Sequence, residues 1–311
     1  IRKCIRMNNA VVIVTYNRVE LLKECLACVC GQTIPFSRVI VVDNHSTDGT
    51  AEFLAAREDL DVIREPENLG GAGGFYDGLQ CASQGEYDWV LIIDDDAMIA
   101  PDYMEKLLDY ANAHTGIYGL AGKVVTEGHI DVSHRRRITN RLLYVESNVT
   151  TGEYQKESFS CDAATFCGLL LQGKKMREIG LPQKGYFLWY DDIEYCLRLQ
   201  ECGGVTVVPA AVLHHKTVLS KEGMVTKGVL HRIGWRQYYG YRNRYDTAKR
   251  HLGSLSAWVI LWQYRVFWLL SFFMTWKKET REQGRSNQKI LHDVIKDCKA
   301  GKLGKHPEYH Y

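Results

Sequence analysis

Several classes of protein are set aside by what this sequence lacks. Its 311 residues contain no internal repeat, no low-complexity tract and no obvious flexible linker, so it reads neither as an array of small units nor as a disordered segment. Paired CxxC motifs are missing. The ten cysteines are scattered along apolar stretches, and the one cluster, Cys25, Cys28 and Cys30 in LLKECLACVCG, lies on a helical apolar pattern with no second CxxC and no neighbouring His. A structural zinc site wants four ligands, and disulfide frameworks belong to small secreted chains, so these cysteines read as reduced core residues on a buried helix face. The opening IRKCIRMNNA is too short and too polar for a signal peptide, which leads to the expectation of a cytoplasmic protein. GxGxxG is absent too. The glycine-rich stretch is NLGGAGG, which disfavours a dinucleotide-binding fold.

What is present is an ordinary globular composition, 46% hydrophobic and 24% charged, in a chain long enough for one large domain or two smaller ones. Net charge is only +2, yet it is segregated: residues 216–311 hold 19 Lys+Arg against 7 Asp+Glu, and residues 1–215 hold 20 against 30. A basic tail suits nucleic acid, an anionic membrane surface or an acidic partner.

In the first half, β-rich apolar runs alternate with helical patterns. AVVIVTY, RVIVVD, DVIRE and YDWVLIID read as strands, and helices are expected from about Val19 to Cys30, from Thr50 to Arg57 and near Phe75 to Ser83. That alternation argues βαβ units and a parallel sheet, whose ligands gather at the carboxyl ends of the strands. Four polar motifs fall there: TYNR, DNHSTDGT, PENLGGAGG and DDD. Further on, WYDD opens an amphipathic helix, and two short strands lead to the pair His214–His215. The last 95 or so residues differ in character: GWRQYYGYRNRYDTAKRH is a helix dense in Arg and Tyr, and LSAWVILWQYRVFWLLSFFMTWKK is about long enough to span a bilayer. Gln263 and Arg265 lie near its middle, where charge is costly, so an interfacial or internally packed helix pair is expected.

The strongest chemical signal is VLIIDDDAMIAPDY. One Asp after a strand serves as a loop residue or as the cap of the helix that Pro101 opens. Three crowded carboxylates repel one another and resist desolvation unless something positive joins them, so Asp94, Asp95 and Asp96 point to a cation. On an extended segment side chains alternate, and Asp94 and Asp96 face the same way.

The order TYNR, DNHSTDGT, NLGGAGG, DDD, WYDDIEYCLR and HHK, covering residues 10–216, resembles the inverting family 2 glycosyltransferases of GT-A fold, an α/β Rossmann-like mixed sheet. NLGGAGGF with DDD and WYDD is most similar to bacterial galactofuranosyltransferases, whose donor is UDP-galactofuranose; rhamnosyltransferases using dTDP-rhamnose share much of the pattern. The resemblance implies Asp96 on Mn²⁺ or Mg²⁺, Asp94 on metal or donor, and Asp95 near the sugar. Many relatives add a His ligand six residues after a proline. Counting from Pro209 gives His215, with His214 the alternative, because strand alternation lets only one face the site. It implies Asp192 as the base that takes the acceptor proton and Asp191 as the group that positions acceptor hydroxyls, beside Trp189 and Tyr190, aromatic faces suited to sugars. For the nucleotide sugar it implies Thr15, Tyr16, Asn17, Arg18 and Asp43, the last receiving the uracil imide proton, together with Asn68, Gly70 and Gly71. Asn44, Ser46 and Asp48 read equally well as a helix-capping turn.

The expected organisation is a GT-A catalytic domain over 1–216 and a basic, aromatic helical region over 217–311. The partners expected are a UDP-linked donor, a glycan or lipid-linked glycan acceptor and the anionic inner face of the cell membrane. A homo-oligomer is left open. Nucleic acid is set aside, because the unusual chemistry lies in the acidic half.

Overall fold

All seven residues of NAVVIVT are buried, the signature of a strand covered on both faces. It is β1 (Asn9–Thr15) of the computed structural model, which describes residues 7–216 and 233–310. In chain order follow α1 (Val19–Cys30), β2 (Arg38–Asp43), α2 (Thr50–Ala55), β3 (Asp61–Arg64), α3 (Gly70–Ser83), β4 (Trp89–Asp94), β5 (Ala97–Ile99), α4 (Tyr103–Ala113), β6 (Gly119–Thr126) and β7 (His129–Ile130). Next come β8 (Arg135–Asn140), β9 (Val145–Asn148), β10 (Phe159–Cys161), β11 (Ala163–Ala164), β12 (Leu169–Gln172), α5 (Gly173–Ile179), α6 (Asp191–Gln200), β13 (Val205–His215), α7 (Trp235–His251), α8 (Ser254–Met274) and α9 (Arg281–Ala300).

The described residues form two compact units. The first draws on Ile1–Arg137, Asn148–Lys184 and Asp192–Leu219, and the second on Ile138–Ser147, Gly185–Asp191 and Ser220–Tyr311.

In the first unit the main sheet has the order β10-β13-β6-β12-β4-β1-β2-β3. β1 runs parallel to β2 and β4, while β12 is antiparallel to both β4 and β6, and β13 is parallel to β6. The carboxyl ends of β1, β2, β4, β6 and β13 therefore share one edge of the sheet. Strand alternation splits β1 between two layers. Val11 and Ile13 pack with Leu22 and Leu26 of α1 and Leu107 of α4, whereas Val12 and Val14 face Gly78 and Gly74 of α3.

Three elements depart from the sequence reading. The helix expected near Phe75 starts at Gly70, because its glycines serve packing: a Cβ on Gly74 would stand 2.6 Å from Val14 Cγ1, and one on Gly78 would drive into Val12. The two short strands before the histidines are a single strand, β13, whose register shifts between Val207 and Val212, where Pro209 offers no N–H. On α1 only Cys25 is buried; Cys28 is half-buried and Cys30 exposed, since the buried stripe runs through Leu22, Cys25, Leu26 and Val29. The described cysteines are all free thiols.

The second unit is built on α7, α8 and α9. Tyr264 of α8 donates to Tyr241 O of α7 at 2.9 Å, and Asn287 Oδ1 of α9 accepts from Ile233 N at 2.8 Å. The apolar stretch expected as part of an interfacial or packed helix pair forms one continuous helix, α8, packed along one side only. Buried Ala257, Ile260 and Tyr264 face inward, while Trp258, Trp262 and Phe273 are exposed.

The close approach of α3 is testable. Gly78→Ala, whose Cβ would also meet Val42 Cγ2 at 3.1 Å, is expected to destabilise by about 1–3 kcal/mol in urea unfolding. Gly71→Ala, with open space at its Cβ, is expected to be neutral or slightly stabilising.

Candidate active site

β4 ends at Asp94, and the chain returns through Asp95 and Asp96 into β5, which pairs antiparallel with β13 so that Ala97 faces His215. That register brings Asp96, one residue ahead of Ala97, to the histidine: His215 Nε2 lies 3.1 Å from Asp96 Oδ1, and Lys216 N donates to Asp96 O at 2.9 Å. His214, opposite Met98, is exposed. The end of β1 supplies the other partners. Thr15 Oγ1 donates to Asp95 Oδ2 at 2.8 Å, and the Arg18 guanidinium spans Asp95 Oδ1 at 3.3 Å and Asp96 Oδ2 at 2.7 Å.

The triplet remains short of positive charge. Burial, reinforced by the charge of Asp96, pushes the Asp94 carboxyl up to about 7 despite His215 and Arg18. Asp95 is pushed up to about 6 by burial, against Arg18 and Thr15. Burial also works on Asp96, but contact with His215 and Arg18 outweighs it and holds that carboxyl below the usual range. Among the described residues, Asp96 Oδ1 has His215 Nε2 3.1 Å away, and the other ring nitrogen, His215 Nδ1, is a buried polar atom with no hydrogen-bond partner. Hard carboxylate oxygens and an imidazole with an orphaned ring nitrogen, in a site short of positive charge, fit a divalent cation such as Mn²⁺ or Mg²⁺.

Beside the triplet, β2 ends at fully buried Asp43. Its Oδ1 accepts from Ser46 N at 2.9 Å, and its Oδ2 has no hydrogen-bond partner. Asn17, at φ 53°, ties the first loop to the second by accepting from Thr47 N and donating its own N–H to Ser46 Oγ. Tyr16 is half-buried. Asp48 accepts from Val19 N and from Thr50, so it holds the start of α1. Asn68 accepts from Gly70 N at 2.8 Å, and Asn44 bonds both Leu69 N and Gly70 O; Gly70 has φ 73°, which favours glycine, while Gly71 is backbone open to an approaching ligand.

In the first unit, Asp192, the second residue of α6, accepts from Ile193 N. Trp189, Tyr190 and Asp191 belong to the second unit. Their loop is strained: Phe187, Trp189 and Tyr190 have φ of 64°, 65° and 71°, the left-handed region that bulky residues avoid. What over-determines it is α7. Asn243 Nδ2 donates to the carbonyls of Tyr186, Leu188 and Trp189 at 3.0, 3.0 and 2.8 Å, and Arg242 donates to Gly185 O and Tyr186 O. Tyr190 is buried, its hydroxyl donating to Glu146 at 3.1 Å, and Trp189 keeps a partly open face. Sequence reasoning missed Arg242 and Asn243, because RNR on a helix reads as a solvated basic face. It also missed Asp131 and His134, whose Asp-x-x-His spacing after a strand was the available signal.

Comparison with known proteins defines the class. The model of glycosyl transferase family 2 matches residues 10–169, and the chain belongs to that family. It is similar to the galactofuranosyltransferase GlfT1 of Mycolicibacterium smegmatis, 27% identical over 209 residues, 65% of this chain and 69% of the relative. GlfT1 of Mycobacterium tuberculosis is 30% identical over 211 residues, 65% and 68%. The dTDP-rhamnosyl transferase RfbF of Shigella flexneri is 25% identical over 244 residues, 77% and 79%. Among solved structures, S. aureus TarS 1–349 in complex with UDP has a TM-score of 0.56 at 15% identity, over 95% of this chain and 92% of that one. The mannosyltransferase PcManGT from Pyrobaculum calidifontis, in complex with GDP-Man and Mn²⁺, has a TM-score of 0.54 at 16% identity, over 96% and 89%. The fold is GT-A and the chain is a glycosyltransferase.

The α7 clamp predicts that Asn243→Ala, which leaves buried carbonyls without a donor, costs about 1–3 kcal/mol and raises amide hydrogen exchange in residues 185–190 more than in β1 or β4. Equal exchange in the loop before and after substitution would show that the loop holds itself.

Proposed function

We propose that this glycosyltransferase moves galactofuranose from UDP-galactofuranose to a hydroxyl of a lipid-linked or growing cell-surface glycan, in a metal-assisted single displacement with inversion. The observation that carries the reading is the buried carboxylate triplet at the end of β4, with Asp96 against His215 and the Asp94 carboxyl still pushed up to about 7. The likeness to two galactofuranosyltransferases supports the donor, and the longer match to RfbF favours the second reading, rhamnosyl transfer from dTDP-rhamnose.

In this reading Asp94, Asp96 and His215 hold the Mn²⁺ or Mg²⁺, with exposed His214 the alternative. When bound, the cation offsets the negative charge that develops on the departing diphosphate. Asp43 offers the uracil imide its Oδ2, which has Arg64 Nε 3.8 Å away and no hydrogen bond, and Thr15, Tyr16, Asn17 and Arg18 hold the nucleotide. Asn68, Gly70, Gly71 and Asp95 contact the donor sugar and its phosphates. Trp189 presents its partly open face to the acceptor, whose hydroxyls Asp191 orients, and buried Tyr190, expected to share that role, stacks on a sugar only if the loop opens. Asp192 takes the hydroxyl proton as the new carbon–oxygen bond forms at the anomeric carbon and the bond to the diphosphate breaks, its electron pair leaving with the diphosphate.

Residues 1–216 act as the catalytic domain and 217–311 as a membrane- or partner-facing region. That boundary adjoins residues outside those described. The protein works at the cytoplasmic face of the membrane, with self-association into a homo-oligomer open and nucleic acid no partner. Support comes from α8, long and apolar enough to cross a membrane and a third buried in its most apolar stretch, with Trp258, Trp262 and Phe273 exposed. Exposed Lys277, Lys278, Arg281 and Arg285 follow it, a pattern suited to lying on anionic lipid rather than spanning it.

The direct test is thermal stabilisation and donor hydrolysis with UDP-galactofuranose, UDP-galactopyranose, UDP-glucose and dTDP-rhamnose, each with and without Mn²⁺. UDP-galactofuranose with Mn²⁺ is expected to stabilise most, and Asp96→Ala to abolish the effect. Asp192→Asn should keep donor binding while turnover falls by roughly 10²–10⁴-fold. Metal-independent wild-type turnover, or a preference for dTDP-rhamnose, would overturn the first reading.

For the membrane, full-length protein is expected to float with anionic liposomes at low salt and to lose flotation in a Trp258→Ala, Trp262→Ala double variant. Flotation unchanged by that variant would place the contact elsewhere.

A further inference from the structure

We propose that Asp131 and His134 extend the Asp96–His215 pair into a single cation centre with two imidazole ligands, one that takes a transition metal such as Mn²⁺, Co²⁺ or Zn²⁺ in preference to Mg²⁺. The inference rests on the metal-assisted reading above and adds two residues and a selectivity to it.

The chain builds this cluster locally. β6 ends at Thr126, and Glu127 and Gly128, with φ of 49° and 80°, form a two-residue turn that sends β7 back along β6. Asp131 N then donates to Val124 O at 2.9 Å, which fixes Asp131 against the same stretch of β6 that β13 flanks through the pairs Val124–Leu213 and Val125–His214. Asp131 Oδ1 accepts from Ser133 N at 3.0 Å and Ser133 Oγ at 2.6 Å, winding a tight turn that returns His134 to its own carboxylate, with Nε2 3.4 Å from Asp131 Oδ2.

The result is a convergence of donors. One ligand atom each from Asp131, His134 and His215 lies within 4.8 Å of the others. The His134 and His215 rings meet edge to face, centroids 5.0 Å apart. His134 is buried, and Thr165 Oγ1, 2.7 Å from its Nδ1, holds the ring so that Nε2 points into the cluster, an outer-shell bond of the kind that orients metal-bound histidines. His215 touches Asp96 on one side and His134 on the other, and keeps a buried Nδ1 with no hydrogen-bond partner. A carboxylate pair alone accepts Mg²⁺ and Mn²⁺ alike. Imidazole nitrogen is a poor ligand for Mg²⁺ and a good one for the later divalent metals, so a second histidine supplies the discrimination.

The test uses the full-length protein stripped by chelator and loaded with metal alone. Electron spin-echo modulation of the Mn²⁺-loaded protein is expected to show two coupled imidazole nitrogens, and His134→Gln to show one. In calorimetric titrations Mn²⁺ should bind at least about tenfold more tightly than Mg²⁺, and His134→Gln and Asp131→Asn should each weaken Mn²⁺ by about 10–100-fold with Mg²⁺ little changed. A single coupled nitrogen in the wild type overturns the proposal without any variant, as does a Mn²⁺ affinity that His134→Gln leaves within twofold. Asp96→Ala separates the two readings: if it retains full Mn²⁺ affinity while His134→Gln loses it, the triplet is not the metal site and the histidine cluster is.

Discussion

Three carboxylates at the end of one buried strand cannot share so small a volume unless other strands bring positive charge to them. This repulsion is the constraint on which the catalytic unit depends. Thr15 and Arg18 arrive from β1 and His215 from β13, strands 200 residues apart in sequence and on opposite sides of β4 in the sheet. They meet because β12 runs antiparallel between β4 and β6, which sets β6 and β13 parallel to β4 and turns all their carboxyl ends to one edge. Burial still pushes Asp94 up to about 7, so the protein alone leaves the site short of cationic charge. A cation is what the arrangement wants.

The second unit solves a different problem by the same means. A loop that turns three bulky aromatics into left-handed backbone exposes carbonyls toward the interior, and a buried carbonyl without a donor costs more than most contacts contribute. Adjacent Arg242 and Asn243, nearly or fully buried, supply those donors from α7. Gly240, one turn earlier, leaves room for the Trp189 ring, 3.1 Å from where a Cβ would stand. The helix is thereby shaped to the loop at three positions within four residues.

Much of this order was legible. The β-branched runs and the 3.6-residue pattern of α1 gave the sheet and its first helix, because buried parallel strands need unbroken apolar sequence. The triplet at a strand end was legible as a charge problem, and alternation along β13 said that only one of two histidines could face it. What sequence hid was anything that depends on a partner far along the chain. The start of α3 was hidden because glycine reads as a loop, and only Val12 and Val14 across the interface explain why a helix would accept it. Asp131 and His134 were hidden because an Asp-x-x-His spacing is unremarkable until β6 folds it beside β13.

Charge was the feature most easily misread. Counted along the chain, the last 96 residues look uniformly basic, with 19 Lys+Arg. In the folded unit those charges divide by environment: Arg242 is spent on backbone carbonyls, Arg244 donates to Leu143 O and Tyr144 O, and Arg250 pairs with Asp246 at 2.6 Å. Cations committed to an acceptor project less field, since the partner's dipole or charge opposes theirs. Exposed Lys277, Lys278, Arg281 and Arg285, interleaved with Glu279 and Glu282, are among the cations left to meet solvent or an anionic surface, as are Lys296, Lys299 and Lys302. Helix α7, the most Arg-rich segment on paper, turns Arg242 and Arg244 inward to hold loops and keeps Arg236, Lys249 and Arg250 on the surface.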